Sequence, residues 1–202
     1  LGDAPRALEC YHDAVSCADT TDVDCDFQRL SRIYGQMADL FHAQRSPQFE
    51  KEAELNAIRM AWKAKDTLAA LNLYAHLADV YHLIGDKDSA LFISQDACSL
   101  LKKYGYERES NGFIIMQYSI FVDRNEFDKA DKLLHKKKKG SGFFDKEGNI
   151  KKGGEIFYFY RGKYYYGVNM LDSSLYFYKK LLYNANNINS IEAASKGLMQ
   201  VY

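Results

Sequence analysis

Helix breakers are scarce in this chain. Two prolines stand among 202 residues, so little interrupts long helices. Net charge is absent as well. Lys plus Arg and Asp plus Glu number 27 each, and no global field favours nucleic acid or an anionic membrane. No stretch reaches the roughly 18 apolar residues that a membrane-spanning helix needs. The most apolar window, Phe113 to Val122, is short and broken by Gln117 and Ser119. Also missing are a nucleophile elbow, a phosphate-binding glycine loop and paired-carboxylate or histidine–zinc motifs. Gly140-Ser141-Gly142 and Gly153-Gly154 lack the neighbours of a phosphate loop, and the five histidines sit in scattered contexts. Catalysis, a resident metal and a cofactor are therefore not expected. Cys10, Cys17, Cys25 and Cys98 contain no CxxC pair. Cys10 and Cys17 lie about 10 Å apart by helix rise, too far for a disulfide. A Cys17–Cys25 bridge across a turn stays open, and the four thiols are expected to be small buried apolar side chains.

What the chain does have is a recurring set of small and aromatic residues. Tyr74, Leu77, Ala78, Tyr81, Gly85, Ala90 and Ala97 form its best copy. Small residues let two helices approach closely, and aromatics fill the holes between neighbouring hairpins. Gly2, Ala7, Tyr11 and Ala14 keep the spacing of a second helix, so residues 1–18 read as a half hairpin. Tyr34, Met37, Ala38 and Phe41 supply a first helix, whose partner carries Ile58 and Ala61 after a lengthened turn containing Pro47. Ile114, Tyr118 and Phe121 lead into Asn125, Phe127, Ala130 and Leu134. Tyr158, Gly162 and Tyr165, then Ser174, Tyr178 and Leu181, make the last full hairpin, with another half hairpin over 188–202. Ala90 to Ala130 spans 40 residues and Ala130 to Ser174 spans 44, so helices or turns are longer than in a repeat of about 34. Both ends read as cut from a longer array.

Turn signals agree. Gly85-Asp86-Lys87-Asp88-Ser89 ends one helix with glycine and offers Asp caps to the next. Asp88-Ser89-Ala90-Leu91 and Asp172-Ser173-Ser174-Leu175 are near copies. Residues 135–154, with five glycines, lack helical periodicity. They read as an irregular loop in which Phe143 to Ile150 forms a small β-hairpin around Glu147-Gly148-Asn149.

These strings resemble the tetratricopeptide repeat (TPR) family over nearly the whole chain. The resemblance implies an all-α, right-handed superhelix of stacked antiparallel hairpins: one array over 1–202, about four full hairpins, non-catalytic, binding a protein or peptide in its groove. The turns Gly-Asp-Lys-Asp-Ser-Ala-Leu and Gly167 to Ser174 resemble those of Bacteroidetes proteins, in which such arrays precede a membrane helix and a DNA-binding or kinase output domain. That implies a sensor or interaction region of a bacterial regulator, periplasmic or cytoplasmic. An architectural or dimerisation spacer, including a homodimer, is the alternative. Departures are the missing first-helix Trp, absent repeat-ending prolines and the irregular period. Trp62 falls in a second helix as packing.

Within this frame the first helices line the groove. Ala38-Asp39-Leu40-Phe41-His42 and Ala78-Asp79-Val80-Tyr81-His82 match, and Asp and His three apart share a face. Asp39, His42, Asp79 and His82 are read as polar groove lining, against local hydrogen-bonded pairs or convergence on a metal ion. Aromatics crowd Phe157 to Tyr160, Tyr164 to Tyr166 and Tyr176 to Tyr178, more than one packing flank can use. The surplus, Phe159, Lys163 and Tyr166, is expected to face the groove as binding anchors. Asp22 to Asp26 resembles the start of a calcium loop but has Phe27 and Ile33 where Gly and Glu belong, so it reads as a capping cluster. Lys136 to Lys139 is the one basic concentration; no nucleic-acid-reading element accompanies it, so it reads as a solvated loop.

Overall fold

One device ends most of the helices. In the computed structural model, which describes residues 3–22, 24–135, 137 and 142–202, Arg45, Lys65, Gly85, Gly105, Asn125 and Asn169 take left-handed backbone conformations with φ of 55 to 86°. The next N–H reaches back to a carbonyl of the last helical turn: Ser46 to Phe41 and Asp86 to Tyr81 at 2.9 Å, Asp66 to Ala61 at 3.0 Å, and Tyr106 to Leu101, Glu126 to Phe121 and Met170 to Tyr165 at 2.8 Å. This Schellman closure satisfies carbonyls that the helix end leaves without partners. The first five of these positions stand 20 residues apart.

Two compact units result, residues 1–106 and 107–202. The first contains α1 (Ala4–Ser16), α2 (Phe27–Ala43), α3 (Pro47–Lys63), α4 (Thr67–Leu83) and α5 (Lys87–Lys103), each packed on the next. Helices α2 to α5 are all 17 residues long. Asp26, Asp66 and Asp86 cap α2, α4 and α5 by accepting from the N–H of Arg29, Ala69 and Ser89 at 2.9, 3.1 and 3.0 Å. The Asp22 to Asp26 cluster thus ends in a cap, as expected, with Val23 outside the described residues. The second unit contains a 3₁₀ turn (Glu107–Ser110), α6 (Asn111–Asp123), α7 (Phe127–Leu134), α8 (Ile156–Gly167), α9 (Leu171–Asn184) and α10 (Ile188–Val201). There α6 packs on α7 and α8, and α9 lies against both α8 and α10.

Helices can cross closely only where side chains are small. Five residues beyond each left-handed position the chain is buried, at Ala70, Ala90, Ser110, Ala130 and Ser174, and at Glu50. Four of the five small residues are wholly inaccessible, which is how a backbone meets its neighbour. Glu50 is the exception, a carboxylate where the other turns place a small group. Seven residues before the turn, Ala38, Ala78 and Gly162 are buried too, while Tyr118 takes that place in α6.

In the second unit, Tyr178 of α9 is fully buried and seated on two glycines. A Cβ on Gly162 or on Gly197 would lie 2.4 Å from its ring, so α8 and α10 each leave a hole for one knob. The Ser174 hydroxyl donates to the Gly162 carbonyl at 2.9 Å, tying α9 to α8 at the same crossing.

Several expectations change. The turn before α3 is no longer than the others: it is Gln44-Arg45-Ser46, and Pro47 opens the helix, where its missing N–H has no partner to lose. In the first unit the longer period comes from the 17-residue helices, whereas Ala130 to Ser174 spans the short helices α7 and α8 and the long segment between them. The hairpin at Phe143 to Ile150 shrinks to one antiparallel bridge, Phe144 to Ile150, because the Asp145 carboxylate accepts from the Asn149 N–H at 2.7 Å and closes the turn itself. Phe143 and Ile150 nevertheless enter the core. The cysteines are not buried: Cys10 and Cys17 are exposed, Cys25 and Cys98 are half-buried, and none of the four is in a disulfide. Cys10 lies in α1, Cys17 and Cys25 lie between α1 and α2, and Cys98 lies in α5, while the wholly buried small positions are held by Ala and Ser. Lys136, Lys138, Lys139, Gly140 and Ser141 lie outside the described residues.

Candidate functional site

The matching segments of α2 and α4 meet across α3. The intervening helix turns two carboxylates inward: Glu50 is 7% and Glu54 2% exposed. Each is held by an imidazole from a flanking helix. His42 Nδ1 lies 2.9 Å from Glu50 Oε1, and His76 Nδ1 lies 3.3 Å from Glu54 Oε1. Facing a carboxylate, Nδ1 is the donor. The local Asp39–His42 hydrogen bond, the alternative to groove lining, gives way to this cross-helix contact, since Glu50 offers His42 a better-buried acceptor.

Asp39, Asp79 and His76 are exposed at the rim and His82 is half-buried. Asp79 keeps water on one flank, while crowding by protein on the other raises its pKa above the ordinary carboxylate value. His76, His82 and His42 oppose that rise, and Glu50 adds to it. His76 is raised in turn, first by the hydrogen bond with Glu54, against partial burial, with Glu54, Asp39 and Asp79 adding by charge. Of the four predicted polar residues, His82 and His42 thus act electrostatically on Asp79, and Asp39 acts on His76. Glu50, Glu54 and His76 complete the patch and were not anticipated. Glu54 Oε2 and His82 Nε2 are buried with no hydrogen-bond partner. Among the described residues, no group of three or more His, Cys, Asp and Glu has the geometry to hold a metal ion.

The aromatic set of the second unit behaves differently. Phe159 is half-buried, 5.9 Å from the Tyr178 ring. Lys163 pairs with Asp123 of α6 and lies 5.8 Å from the Phe159 ring. Tyr166 is 39% exposed. Of these three, Tyr166 is the one left largely to solvent.

Beside them stands a group that sequence reasoning passed over. Arg161 lies within 5.9 Å of the rings of Tyr118, Tyr164, Tyr165 and Phe177. It donates to the Tyr165 hydroxyl at 2.6 Å and the Tyr118 hydroxyl at 3.2 Å. Stacked and hydrogen-bonded, the guanidinium rivets α8 to α6 and α9. It also borders a cleft of about 320 Å³ lined by His135, Lys137, Phe144 and Phe177. Trp62 is half-buried in α3, 6.2 Å from the Tyr104 ring, as packing.

No family profile matches the chain, and no protein of curated function matches it in sequence. A solved structure does: the crystal structure of BtubC (BKLC) from P. vanneervenii is similar at TM-score 0.66 and 17% identity, over 98% of this chain and 82% of that one. At that identity the likeness defines the fold. The chain is all-α and TPR-like, hairpin following hairpin. No described helix is long and apolar enough to cross a membrane.

Proposed function

We propose that the chain is an architectural, non-catalytic TPR-like module that holds another polypeptide against the faces of its first helices. One observation carries this reading. The packing is completed by capped turns and small-residue crossings that need no ligand, while Asp39, His42, His76 and Asp79 collect at one exposed surface over the buried Glu50 and Glu54. A preformed face binds without the entropic cost of ordering itself. Phe159, Lys163 and Tyr166 form the second contact region of this proposal, with Tyr166 as its exposed anchor.

The finer reading, a sensor region of a bacterial regulator, rests on the wording of the turns at Gly85 to Leu91 and Gly167 to Ser174. The architectural role asks for no output domain and is preferred. Two measurements test it: light scattering over a concentration series, for self-association, and titration with short labelled peptides of basic, neutral and acidic character. A chain that stays monomeric throughout and binds none of the peptides has no architectural role of this kind.

A further inference from the structure

We infer that the acid–histidine patch of α2, α3 and α4 receives a lysine or arginine side chain of the partner polypeptide. This rests on the binding role proposed above and names the chemistry of its partner. Four carboxylates converge there, Asp39, Glu50, Glu54 and Asp79, and no Lys or Arg among the described residues pairs with any of them. The nearest candidate along the chain, Lys51, directs its ammonium toward the Tyr81 ring, 5.7 Å from the centroid.

The buried member is the pointer. Glu54 is 2% exposed; His76 takes one of its oxygens, and the other is buried with no donor. A carboxylate oxygen withdrawn from water without a donor is costly to the folded chain. A packed domain usually avoids such an atom, and here it lies beside the rim formed by His76, Asp39 and Asp79. An incoming ammonium or guanidinium supplies several donors at once and a permanent positive charge, where no described Lys or Arg pairs with these carboxylates. Asp39 and Asp79 occupy the same position of α2 and α4, one hairpin repeat apart, so an extended segment with more than one basic residue can meet both. A metal ion is the poorer occupant, because among the described residues no three ligating groups have the required geometry.

The test uses the full chain and three short fluorescein-labelled peptides, otherwise identical, carrying Lys, Gln or Glu at alternate positions, read by fluorescence anisotropy. The Lys peptide is expected to bind best and to weaken with added salt. Asp39→Asn with Asp79→Asn, and separately Glu54→Gln, should each raise its Kd about tenfold, the scale of one hydrogen bond to a charged group, with the far-UV circular dichroism unchanged. Should Glu54→Gln misfold, the surface double variant carries the test alone. Equal binding of Lys and Gln peptides, or a Lys affinity indifferent to the variants, overturns the inference. So does stoichiometric zinc retained by the chain and lost in Glu54→Gln. Preference for the Glu peptide sinks this inference while leaving the architectural role standing; no binding by any peptide, with a monomer at every concentration, sinks both.

Discussion

The crossings of α2 to α4 and those of α8 to α10 solve one packing problem with opposite chemistry. In the second unit a tyrosine knob fills holes left by two glycines, and the polar groups at the crossing, the Ser174 and Tyr178 hydroxyls, are neutral. In the first, the position that is small at every other turn holds Glu50, and charge is carried inward beside Glu54. A crossing without charge serves the packing. A buried carboxylate does not maximise stability, so its presence points to a use outside the fold.

The largest expected effect lies on the uncharged side. Tyr178→Ala empties a site with no solvent access, and loss of about 3–5 kcal/mol, typical for truncating a large aromatic, is expected in urea unfolding. A loss under about 1 kcal/mol would mean that the helices collapse onto the gap and that the glycines have no steric purpose.

The same residue makes a pH prediction. Burial pushes the Tyr178 hydroxyl up to about 12, with Ser174 opposing, against about 10 in the unfolded chain. The folded state therefore holds its proton longer. The associated stability is complete below about pH 10 and is lost as pH rises toward 12. Two pKa units correspond to about 2–3 kcal/mol, and the difference between wild type and Tyr178→Phe over pH 9 to 12 isolates this residue from the other tyrosines. A difference independent of pH would show the hydroxyl hydrated in the folded protein.

Gly162→Ala should cost about 1–3 kcal/mol by overpacking, since its Cβ would fall 2.4 Å from the Tyr178 ring. In a Tyr178→Leu background most of that penalty should vanish, giving a coupling of at least about 1 kcal/mol. Additivity of the two changes would break the knob-and-hole account while leaving the helices in place.

The first unit can be probed at its turns. Gly85 has φ of 86° and open space around its missing Cβ, so Gly85→Ala should lose about 1–2 kcal/mol through backbone conformation alone. Arg45 holds φ of 55° at the equivalent turn, and Arg45→Gly should change thermal stability by under about 1 kcal/mol. Equal and opposite shifts would show that side-chain contacts of Arg45 matter little.

These turns also explain what the sequence could and could not announce. Gly85 with Asp86 is a visible stop and cap, and the small residues Ala78, Ala90, Ala130 and Gly162 mark crossings by size. Arg45 and Lys65 make the same left-handed turn with side chains that carry no such preference, so the 20-residue beat stayed hidden and the α2–α3 turn looked longer than it is. The Asp/His faces of α2 and α4 were legible because identical residues recur at identical spacing. Their partners were not: Glu50 and Glu54 sit in PQFEKEAEL, a string that reads as a charged outer face. Only the packing of α3 between two helices turns those carboxylates inward. Phe143 was opaque for a similar reason, since a glycine-rich segment gives no period from which burial can be inferred.

The smallest expected effect separates the two chemistries most sharply. Glu50→Ala converts the exceptional turn to the residue found at three of the equivalent positions, Ala70, Ala90 and Ala130. It removes a buried charge and leaves His42, whose side chain is 64% exposed, free to hydrate. The cavity left by the shorter side chain and the relief of desolvation oppose each other, so a change within about 1 kcal/mol of zero is expected. If Glu50 were a structural keystone like Tyr178, chemical denaturation would instead reveal a loss of several kcal/mol, and the contrast between the two crossings would dissolve. A stable Glu50→Ala protein whose affinity for the Lys peptide nevertheless falls would place the charge where the fold does not need it, at the service of binding.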